Sequence, residues 1–91
     1  MKCTEYIWIF VGYKGAFPSG VFLEKVVAEK WIDTHNLSGV LTKYPLDEGV
    51  YEWAIEKGYF SPEHEKHKDA EFIASFSCAS MEHYHYGDDG V

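Results

Sequence analysis

Residues Leu37–Gly58 read LSGVLTKYPLDEGVYEWAIEKG, and the way this stretch folds decides the architecture. Ser38–Tyr44 is rich in β-branched and aromatic residues, and its period of two places Val40, Thr42 and Tyr44 on one strand face and Leu41 on the other. Pro45 has no N–H to give a ladder, so pairing is expected to stop there. Asp47 reads as a helix N-cap with Glu48 in the first turn. Val50, Trp53 and Ala54 then recur at helical spacing, with Tyr51 and Ile55 widening the stripe. Gly58, preceded by Lys57, is the expected helix end. The stretch is therefore a strand–turn–helix unit.

On its N-terminal side, Tyr6–Tyr13 (YIWIFVGY) is apolar or aromatic at nearly every position, the composition of a central strand covered on both faces. Gly12, Gly15, Pro18 and Gly20 make a hairpin-like connection, and Val21 and Phe22 a short return strand. From Leu23 the period becomes helical. Leu23, Val26, Val27 and Trp31 form the expected buried stripe, broadened by Ala28 and Ile32, and the helix should end at His35 and Asn36. On the C-terminal side, Tyr59–Asp69 is charged and contains Pro62, which predicts an exposed loop. Glu71–Cys78 alternates Phe72, Ala74, Phe76 and Cys78 against Ile73, Ser75 and Ser77, which predicts the last strand. Met81 begins a tail, loose over residues 86–91. The predicted class is α+β: a single small domain over residues 1–91, with three or four mostly antiparallel strands packed against two helices in the order β(β)αβαβ.

Composition narrows function. The 91 residues carry 46% hydrophobic side chains, enough for a core. Fifteen acidic against eight basic residues give a net charge of −7, which argues against a phosphate backbone as partner and for a basic protein. Cys3 and Cys78 form no disulfide framework and read as free thiols on strands in a reducing cytoplasm. The apolar run Tyr6–Val11 is too short for a signal core and follows Glu5, and no stretch approaches the ~20 apolar residues of a membrane span. A cytoplasmic protein is expected, with no nucleic-acid or membrane partner.

Few constellations carry chemistry. His83 and His85 would project from one strand face and could share a metal, but a zinc site needs further ligands, with His64, His67, Glu82 and Asp88 as candidates. The serines lack a G-x-S-x-G setting, and both phosphate-cradling glycine motifs are absent, so no catalytic residue and no cofactor is predicted. Glu48, Glu52 and Glu56 share a helix face at i, i+4, where like charges repel by about 0.2–0.5 kcal/mol per pair, which reads either as a solvated helix face or as an acidic patch that meets a cationic partner. Six Phe, three Trp and seven Tyr exceed what a small core needs, and Tyr51, Tyr59, Tyr84 and Tyr86 are the candidate exposed rings, or else half-buried rings that cover the sheet edge.

Three motifs together carry a resemblance: FPSGVF at Phe17–Phe22, LSGVLTKYPLDEGVYEWAIEKGYF at Leu37–Phe60 and HYHY at His83–Tyr86. The chain resembles a family of small, stand-alone bacterial proteins of unknown function over nearly its whole length. It departs from similar helix starts at Leu23, where Ser or Thr usually caps. The resemblance brings no mechanism. By analogy of size and charge, the expectation is a non-enzymatic binding module, an immunity-type inhibitor of a basic toxin domain. Its surface would comprise Glu48, Tyr51, Glu52, Glu56, Tyr59, Tyr84 and Tyr86. The alternatives are a metal-binding protein or metal-dependent enzyme using His83 and His85, and a homodimer through the sheet edge or the aromatic surface.

Overall fold

In the computed structural model, which describes residues 5–87, β1 (Tyr6–Gly12) lies between β2 (Pro18–Phe22) and β3 (Gly39–Pro45). β4 (His83–Tyr86) pairs with the outer side of β3, and every pairing is antiparallel. Two central strands thus carry the most apolar sequence, as expected of an α+β fold. The helices are α1 (Lys25–His35), α2 (Val50–Lys57) and the short α3 (Ala70–Ala74), with a 3-10 turn at Glu65–Lys68 inside the predicted loop.

Register sorts the side chains into two faces. Trp8 stands opposite Phe22 and Lys43, and Phe10 opposite Gly20 and Leu41, while Leu41 is paired with Tyr84. α1 covers this side, and Trp8, Phe10, Ala28, Ile32 and Leu41 form the main core with Trp31 and Phe22 against it. The Phe10 ring meets Trp31 edge-on at 5.6 Å, an arrangement aromatic quadrupoles favour. The helix turns through a stripe adjacent to the expected one. Ala28 and Ile32 are buried, whereas Leu23, Val26 and Val27 are exposed. Two apolar stripes lie side by side on α1, and the short connection from β2 selects between them.

The other face is different. Ile7, Ile9 and Val11 on β1 stand beside Val21 on β2 and Thr42 and Val40 on β3, with His83 and His85 next on β4. Ile7, Ile9 and Val11 are only half-buried, Val21 is 57% exposed, and none of them belongs to either core. The expectation that β1 is covered on both faces is therefore corrected, because all of α1 lies on one side.

A second core sits at the end of the sheet. Trp53 and Ala54 of α2 pack with Met81, and Tyr6, Tyr44, Val50, Phe60, Phe76 and Cys78 close around them. α2 begins later than expected, with Gly49 at its N-cap. Asp47 instead occupies a left-handed turn position (φ 62°), which a short polar side chain tolerates better than most. Gly58 ends α2 in the left-handed conformation, as predicted.

The segment predicted as the last strand is not one. Residues 70–74 form α3, because Phe72 and Phe76, four apart, fit one helix face as well as one strand face, and Ala70, Glu71 and Ala74 favour the helix. The Ser75 hydroxyl donates to the Glu71 carbonyl at 2.9 Å and closes that turn. The last strand is β4, so HYHY and Tyr86 belong to the sheet and not to a tail. Cys78 lies in the loop before it, half-buried, and not on a strand. Cys3, Asp88 and the end of the predicted tail, residues 88–91, lie outside the described residues.

Candidate functional site

α2 presents its acidic side away from the second core. Tyr51, Trp53 and Ala54 are buried, while Glu52 and Glu56 are exposed and Glu48 is half-buried in the turn before the helix. Between Pro45 and Lys57 there are four carboxylates and no cation. Glu52 belongs to the first turn, and its carboxylate folds back over Gly49, where a negative charge suits the helix dipole. Glu56 is near the opposite end, where the dipole gives a carboxylate no support. Tyr59, just past the end of α2, is 53% exposed, with its ring 5.6 Å from Trp53. Glu52, Glu56 and Tyr59 are thus brought to one end of the molecule.

The other predicted rings are engaged elsewhere. Tyr51 is buried, not exposed. Its ring meets Phe60, Phe72 and Phe76 at 5.9, 6.3 and 5.6 Å, and its hydroxyl donates to the His67 carbonyl at 2.8 Å. Tyr84 and Tyr86 point toward α1 and half-cover the main core. The Tyr84 hydroxyl donates to the Glu82 carboxylate, and Lys25 lies 3.9 Å over the Tyr84 ring. Lys25 also pairs with Glu29 at 3.7 Å, and Glu29 accepts the Tyr86 hydroxyl at 2.6 Å. Burial, together with that bond, pushes the Tyr86 phenol well above its ordinary pKa.

This run of contacts continues to Lys43, which pairs with Glu82 at 3.6 Å and lies 4.7 Å over the Tyr6 ring. Lys43, Trp53, Lys57, Tyr59 and Glu82 line a shallow groove next to the acidic face. Sequence reasoning missed Lys43, since its neighbours in an apolar strand gave no sign that register would place it at the groove. The hydrogen bond from Tyr84 holds the Glu82 carboxyl below the usual range, helped by Lys43. A depressed carboxyl contributes stability above its unfolded pKa and loses it as pH falls through the lowered folded value. Glu82→Gln should therefore flatten the acid limb of Tm against pH; parallel profiles from about pH 7 to about pH 3 would show that the contact contributes nothing.

His83 and His85 do share a face, with ring centroids 5.5 Å apart. The His83 Nδ1 lies 2.7 Å from the Met81 carbonyl, which leaves Nε2 as its outward nitrogen. Among the described residues, no group of three or more His, Cys, Asp or Glu is placed to hold a metal ion. His64 and His67 lie apart from this pair on the 3-10 turn, where the His67 Nδ1 accepts backbone N–H groups of Glu63 and His64 at 3.1 and 3.4 Å.

Residues 7–91 match the family described as Domain of unknown function (DUF7710). The chain belongs to that family. No curated protein and no solved structure matches it. Apart from Tyr6, the matched region contains the sheet, both cores and the acidic face of α2. No helix among the described residues is long and apolar enough to cross a membrane.

Proposed function

We propose that this DUF7710 protein is a protein-binding module, an immunity-type inhibitor that neutralises a basic toxin domain. The observation that carries the reading is the exposed pair Glu52 and Glu56 on α2, with the exposed Tyr59 ring directly after the end of that helix. The net charge of −7 supports it, since an acidic surface accelerates encounter with a cationic partner. Tyr59 supplies an aromatic anchor whose ring is already supported by Trp53, so little ordering is required on binding. Lys43 and Lys57 at the edge of the same surface add register, because a uniformly negative patch would not distinguish one basic partner from another.

The test begins with affinity capture from the native host and continues with association kinetics of the captured protein. A basic partner is expected. Glu52→Lys combined with Glu56→Lys should slow association at low salt by about 10-fold or more and flatten its salt dependence. An unchanged rate at low salt would remove this surface from the reading. A neutral or acidic captured partner would remove the inhibitor role.

A further inference from the structure

We infer that the open face of the sheet is a self-association surface, and that two copies of this chain pack sheet against sheet through it. It is separate from both the acidic surface of α2 and the sheet edge, and it does not depend on the proposed function.

A strand with one solvated face alternates apolar and polar residues, whereas a strand covered on both sides is apolar throughout. β1 follows the second pattern, since Trp8 and Phe10 enter the core while Ile7, Ile9 and Val11 face outward. Val21 on β2 and Val40 and Thr42 on β3 continue the outward face on either side. Among the described residues no helix packs over these six positions, and this face is met only at its end, where Tyr44, opposite Ile7, joins the second core.

Charge decides what covers the other. A quarter of the chain is charged, yet no Asp, Glu or Lys stands at any of these six positions, and the β4 positions beyond them are imidazoles. A basic partner finds no counter-charge here. The complement of a flat, twisted, aliphatic sheet is another such sheet at about 10 Å, and a second copy offers one of identical composition. The net charge of −7 opposes self-association in general, but this face keeps carboxylates out of the contact itself.

Area sets the strength. Four strands about 4.8 Å apart, with about 3.3 Å per residue along the seven residues of β1, give at most roughly 400 Å² per copy before side-chain relief is counted. Specific stable interfaces bury about 1,200–2,000 Å² in total, so roughly 800 Å² over the two copies falls below that range, and a weak, transient contact with a Kd of about 10–100 µM is expected.

Sedimentation equilibrium of the full chain from about 1 to about 300 µM tests this. The mass should rise from 10.5 kDa toward twice that value. Ile9→Lys, which puts an unpaired ammonium at the centre of the face, should weaken the dimer at least about 100-fold with an unchanged circular dichroism spectrum. Thr42→Lys, on the neighbouring strand, carries the same test if Ile9→Lys fails to fold. Glu52→Lys should leave the mass profile unchanged. A chain that stays at 10.5 kDa throughout overturns the inference, and so does a dimer that survives both lysine substitutions on the face.

Discussion

Gly39→Ala is expected to be among the most damaging single substitutions in this protein, although it adds one methyl group. A Cβ at Gly39 would lie 2.4 Å from the Val11 carbonyl oxygen, 2.8 Å from the Gly12 Cα and 2.6 Å from the tip of the Phe10 ring. Two of those neighbours are backbone of β1, so the two central strands must separate at the end where Gly12 and Gly39 pair. The φ of 157° adds strain for any residue with a Cβ. Overpacking and backbone strain together cost about 2–5 kcal/mol, a large part of the roughly 5–14 kcal/mol that a chain of this size has. Urea denaturation should show the midpoint falling accordingly. Phe10→Leu on the same chain should not restore it, because removing the ring tip leaves both backbone contacts in place. Gly58→Ala is the matched control, with φ at 82° but nothing within 4 Å of the added carbon, so only conformational strain of about 1 kcal/mol is expected. A Gly39→Ala midpoint no lower than that of Gly58→Ala would show that the close approach is relieved cheaply.

Gly39 also shows where sequence reading stops. Leu37–Gly58 was legible as strand, stop and helix, since Pro45 and Gly58 act through their own backbones, whatever surrounds them. A role that depends on what lies opposite is not written locally, and Gly39 matters because Phe10 and Val11 cross it. The same distinction runs through the chain. The Asn36 helix end was legible, and its left-handed N–H bonds to the Asp33 carbonyl. The inward side of α1 was legible at Ala28, Trp31 and Ile32, but the exposure of Leu23, Val26 and Val27 was not, because helical periodicity finds a stripe but not how much of it a neighbour covers. The α3 segment failed for a related reason, as a repeat of four satisfies both periods. At the candidate site, Glu52 and Glu56 could be placed from helix spacing alone. The tyrosines could not, because Tyr51, Tyr84 and Tyr86 owe their burial to partners between 9 and 57 residues away in sequence for the first and last, and to α1 for the second.

Tyr51→Ala should open one end of the molecule and leave the other closed. Tyr51 is the point where α2 holds Phe60, Phe72 and Phe76, and its hydroxyl fastens the 3-10 turn through the His67 carbonyl. Phe60, Phe72 and Phe76 also contact one another at 4.9–5.8 Å, so removing Tyr51 leaves a cavity walled by rings that can collapse only in part. A loss of about 3–5 kcal/mol is expected, against about 1 kcal/mol for Tyr51→Phe, which keeps the ring and gives up the hydrogen bond. Phe10, Leu41, Ala28 and Ile32 belong to the separate core under α1, so the loss should be local. Amide hydrogen exchange should accelerate over residues 59–76 while β1 and β3 keep their protection. Equal loss of protection in β1 and β3 would mean that the two cores unfold as one cooperative unit. The local outcome also decides how binding data should be read. Tyr51→Ala would abolish partner binding by displacing the base of the acidic face, without Tyr51 touching the partner. Tyr51→Phe should bind normally. Tyr59→Ala, which removes a half-exposed ring from the surface, is the substitution whose effect on affinity reports a contact.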